Sequence, residues 1–96
     1  MTAELSLAGI EVVADVVDGR AAVDAVAAHQ PDAVVLAEVL PKMSGSEAAR
    51  LIRLSNPRTR IVFYTALRGR QFPDADRVVE HSHDHSELIR VLLGLA

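Results

Sequence analysis

The run Ala33–Ala37, Ala-Val-Val-Leu-Ala, carries no charge and stands between Pro31-Asp32 on one side and Pro41 on the other. A short, β-branched, uncharged run of this kind fits a central strand covered on both faces better than a half-exposed one. Pro41 stops it, because proline has no N–H to give to a ladder. Beyond it, Ser44-Gly45-Ser46-Glu47 has the Ser-x-x-Glu pattern of a capping box that opens a helix. In open α/β sheets, sites form outside the carboxyl ends of the strands. Any chemistry in this chain is therefore expected between Ala37 and Pro41.

The remaining sequence supplies elements to surround that strand. Glu4–Ala8 reads as the last turns of a helix stopped by Gly9. Ile10–Val17 reads as a strand, with Ile10, Val12, Val13, Val16 and Val17 around only Glu11 and Asp15. Asp18 can cap a helix over Gly19–His29, in which Ala22, Val23, Val26 and Ala27 keep helical spacing, and Pro31 ends it. A helix from Ser46 to Ser55 should bury Ala48, Leu51, Ile52 and Leu54 and turn Arg50 and Arg53 to water, with Asn56-Pro57 closing it. Ile61–Thr65 is a second uncharged strand, and Arg77–Glu80 a further candidate. Between them, Phe72 in Gln71-Phe72-Pro73 should pin the connecting loop to the core. A second capping box, Asp84-His85-Ser86-Glu87, opens a last helix whose buried stripe is Leu88, Ile89, Leu92 and Leu93. This alternation predicts an α/β fold with a parallel sheet and right-handed crossovers.

Ninety-six residues make one domain, 1–96, and with half of them hydrophobic but only 3% aromatic the core must be Val, Leu, Ile and Ala. A formal charge of −3 offers no basic footprint, so direct nucleic-acid binding is not expected. The absence of cysteine excludes disulfides and thiolate zinc sites. No apolar run approaches the ~20 residues of a membrane span, and the N-terminus lacks a basic n-region before an apolar stretch. The expectation is a soluble, cytoplasmic protein that meets no membrane. There is no Ser–His–Asp arrangement, phosphate-cradling glycine loop or paired carboxylate, so no enzyme activity and no cofactor are expected.

Taken in order, these pieces resemble the receiver domain of bacterial two-component response regulators. Pro31–Gly45 resembles the family's third strand and the Pro- and Gly-spaced loop after it. Gly9-Ile10-Glu11-Val12-Val13-Ala14, followed by Asp18-Gly19-Arg20-Ala21-Ala22, resembles the second strand and second helix of receivers attached to helix-turn-helix activators. Thr65-Ala66 after Ile61–Tyr64 matches the end of the fourth strand, and Ala75-Asp76 with Ser86-Glu87-Leu88 the edges of the fifth strand and fifth helix. The likeness covers about residues 5–95. It implies a flavodoxin-like, receiver-type parallel sheet with helices on both faces. The first strand is missing from it, since the chain begins inside the first helix.

The departures fall on the chemistry. The resemblance places the phosphate-accepting position on Ala37, where a methyl group cannot attack a phosphoryl donor or ligate magnesium. The acidic pair that ends the family's first strand has no counterpart. The lysine that ends the fifth strand falls on His81, and the aromatic switch residue on Val78; only Thr65 keeps its family identity. Glu38 should point to the face opposite Ala37 and stay partly solvated. Turned into the site, its charge would imitate a phosphorylated acceptor. The crossover from Ala66 to Asp76 is too short for the family's full fourth helix. Without a first strand, Ile10–Val17 and Ala33–Val39 must either pair directly in a four-stranded sheet or leave a gap for another chain.

Two other features stand out. His81, His83 and His85 alternate, and on one extended face could ligate zinc or nickel; a solvated, His-rich turn is the simpler reading. Arg58, Arg60, Arg68, Arg70 and Arg77 gather around the fourth strand and its crossover, and Arg68, Arg70 and Arg77 would form an interaction face for an acidic partner; ordinary solvated arginines on a loop are the simpler reading. The sequence thus points to a non-phosphorylatable pseudo-receiver working through protein contact. Its partner would be a histidine kinase, a response regulator or a second copy in a homodimer. The alternative is a metal- or small-ligand sensor built on the His81/His83/His85 turn.

Overall fold

The computed structural model describes residues 2–66, 69–81 and 85–94, with side chains from residue 5 onward. Helix α1 (Thr2–Leu7) ends at Gly9, whose φ of +87° is the left-handed conformation that glycine adopts without a Cβ penalty. Helix α2 runs over Gly19–His29 as its sequence predicts. Asp18 caps it by accepting from the Ala21 N–H at 2.7 Å, and Gln30 closes it with φ 45°. Strand β1 (Ala33–Leu36) follows, then α3 (Gly45–Ser55), β2 (Arg60–Thr65), β3 (Arg77–Glu80) and α4 (Ser86–Gly94).

The three strands form a parallel sheet in the order β1-β2-β3, with Ala33 opposite Arg60 and Val62 opposite Arg77. Alternation along the strands splits the core in two. On one face Leu36, Ile61 and Phe63 pack with Ala22 and Val26 of α2 and Ala48, Ala49 and Ile52 of α3. On the other, Val62, Tyr64 and Val79 pack with Leu88 of α4. Helices therefore cover both faces, as the α/β reading requires.

Ile10–Val17 departs from expectation. It forms no strand, and Val13, Val16 and Val17 are 46%, 40% and 80% exposed. Direct pairing with β1 into a four-stranded sheet does not occur. High strand propensity needs a neighbouring strand to satisfy its backbone, and among the described residues β1 pairs only with β2. Two stripe positions are also corrected. Leu54 of α3 is 73% and Leu93 of α4 49% exposed, while Ala49 takes the buried place in α3. The Asp84 cap lies outside the described residues.

The crossover from β2 to β3 holds no helix among its described residues. Phe72 pins it, stacked on Phe63 with ring centroids 4.3 Å apart and planes 15° apart.

Candidate functional site

The carboxyl end of β1 is fixed by the loop after it. The Gly45 N–H donates to the Glu38 carbonyl at 2.9 Å, Met43 N–H to the Pro41 carbonyl at 2.7 Å, and Gly19 N–H to the same carbonyl at 3.3 Å. Gly45 is required by this closure, because a Cβ there would run into the Ala37 carbonyl and lie 3.0 Å from Glu38 Cα. Ser44 caps α3 by accepting from the Glu47 N–H at 3.2 Å. Ala37 itself, one residue beyond β1, is exposed.

Glu38 corrects its expectation. It is not a solvated edge residue: its side chain is 8% exposed. Oε1 accepts from the Ser46 N–H at 2.8 Å, and Oε2 from Ser46 Oγ at 2.6 Å and Arg70 Nη2 at 3.1 Å. The carboxylate thus sits at the positive N-terminus of α3, where the helix dipole favours it. Arg70, tied down there, also lies 5.9 Å over the Phe72 ring. Arg68 lies outside the described residues, and Arg77 is exposed at the start of β3.

Thr65, buried at the end of β2, and His81, just after β3, are neighbours: the His81 N–H donates to the Thr65 carbonyl at 2.8 Å. Val78 lies within β3, opposite Phe63, and is 43% exposed. His81 stacks on Tyr64 at 4.0 Å, and Tyr64 Oη is 2.8 Å from His85 Nδ1. His81, which is exposed, and His85 thus both touch the Tyr64 ring, and among the described residues no group of His, Asp and Glu is placed to hold a metal. His83 lies outside the described residues.

Arg53, expected to face water, instead reaches across to Asp76. Its Nη2 is 2.7 Å from Asp76 Oδ2 and 2.9 Å from the Asp74 carbonyl. Burial pushes the Asp76 carboxyl up, but it is outweighed by the Arg53 hydrogen bond, the Ile61 N–H and the nearby Arg53 and Arg60 charges, which hold it below its ordinary value. Sequence reasoning missed both Glu38 and Arg53 for one reason. Their partners lie beyond their own elements, Ser46 and Arg70 being 8 and 32 residues from Glu38 and Asp76 23 from Arg53, and are found only through the fold.

Beside the free edge of β1 lies a cleft of about 900 Å³, bounded by Ile10–Val16, α2, Tyr64 and the end of α4. It occupies the place where a strand between Ile10–Val17 and β1 would run.

The fold is that of solved receiver domains. The response regulator TrrA from Thermotoga maritima, solved in complex with magnesium and BeF, superposes with a TM-score of 0.89 at 27% identity, over 99% of this chain and 85% of that one. The receiver domain of a sensor histidine kinase from Pseudomonas aeruginosa, solved with magnesium in its active-site cleft, gives 0.83 at 28% identity, over 97% and 82%. A protein-glutamate methylesterase/protein-glutamine glutaminase from Nocardioides sp. is 39% identical over 61 residues, 64% of this chain but only 17% of that protein. The response regulator receiver domain model matches residues 1–90. With that match over a three-stranded parallel sheet clad by helices on both faces, the chain belongs to the response regulator receiver domain family.

Proposed function

We propose that this domain does not take up a phosphoryl group and acts in two-component signalling by protein–protein contact. Ala37 carries the reading. It stands at the carboxyl end of β1, the family's accepting position, and a methyl group offers neither a nucleophile nor a ligand. The relatives solved with magnesium hold the ion in a site of their own; the residues here do not fit one. Ala37, Thr65 and His81 at the strand ends include no carboxylate, and the nearby Glu38 is committed to Ser46 and Arg70. Its charge serves the first turn of α3 rather than imitating a phosphorylated acceptor.

Without transfer chemistry, regulation must be carried by binding. The partner classes are a histidine kinase, another response regulator or a second copy, in the cytoplasm. Arg77, exposed at the start of β3, offers a basic group for such a contact. The test is intact mass after incubation with a small-molecule phosphodonor and magnesium, beside an active receiver as control. The control should gain one phosphoryl group and this chain none; a stoichiometric gain on this chain would overturn the reading.

A further inference from the structure

We draw no further inference here: the strongest candidate, the hollow outside the amino ends of β1 and β2 between residues 30–32 and 55–60, sets Arg58 and Arg60 against the carboxylates of Asp32 and, 3.8 Å from Arg60, Asp76, and nothing in the structure shows what it would hold.

Discussion

Removing the Glu38 carboxylate tests how the carboxyl end of β1 is held. Glu38→Ala deletes three hydrogen bonds at once: two from Ser46, at 2.8 and 2.6 Å, and one from Arg70 at 3.1 Å. A hydrogen bond to a charged group contributes about 1.5–3 kcal/mol when desolvated. The Arg70 side chain is 53% exposed, so its share falls to about 0.5 kcal/mol. The Ser46 pair is better shielded, but its N–H belongs to the first turn of α3 and regains water once the carboxylate is gone. Counting these terms as partly redundant gives a loss of about 2–3 kcal/mol. That is a large part of the ~5–10 kcal/mol expected of a small domain. Urea unfolding should show the loss as a lower midpoint at unchanged slope. Arg70→Ala alone should cost only about 0.5 kcal/mol. A loss under about 0.5 kcal/mol for Glu38→Ala, or an equal loss for both variants, would refute the reading that Glu38 holds the first turn of α3 through Ser46.

Three further outcomes follow from the same contacts. Gly45→Ala forces a Cβ against the Ala37 carbonyl and the Glu38 backbone; about 3 kcal/mol or outright failure to fold is expected, read by circular dichroism and urea unfolding. Phe72→Ala removes the ring stacked on Phe63 and should cost about 3 kcal/mol in the same assay. Asp76→Asn should cost about 1–2 kcal/mol at neutral pH. Because the Asp76 carboxyl is held below its ordinary 3.8, its contribution is present above that value and lost as pH falls through the lowered one. The gap between wild type and Asp76→Asn should therefore close below about pH 3.8 in urea titrations; a gap constant down to pH 2 would sink the ion-pair account.

Local signals in the sequence were read correctly where the physics is local. The bounds of α2 and the start of α3 follow from Asp18 and Ser44, whose side chains bond the N–H groups three residues on. The same holds for β2, whose uncharged run Ile61–Thr65 is fully buried. What failed was whatever depends on partners distant in the chain. Ile10–Val17 has strand composition, but a strand is a paired state, and propensity cannot supply the neighbour. Leu54 and Leu93 keep helical spacing yet fall at the margins of the apolar stripes, where no element covers them. At the site, the place of Ala37 was legible from its distance to Pro41 and Gly45. The fates of Glu38 and Arg53 were not, since Glu38 is decided by how the loop after β1 turns it onto Ser46 and Arg53 by the crossover that brings Asp76 to it.

These outcomes divide the molecule into a fastened side and an open side. The β2–β3 crossover, lacking a helix among its described residues, is held at three points: Arg70 on Glu38, Phe72 on Phe63 and Asp76 on Arg53. Two are Arg–carboxylate ion pairs and the third an aromatic stack, so Arg70, Phe72 and Asp76 are expected to behave as part of the packed structure. The opposite margin is more open to solvent. Val34 and Val35 belong to a strand whose composition suits cover on both sides, yet they are only half-buried, while Ile61, Val62 and Phe63 beside them are fully buried. That mismatch lies along the one strand edge facing the cleft. Amide exchange should follow this division: slow in β2 and fast across Ile10–Val17.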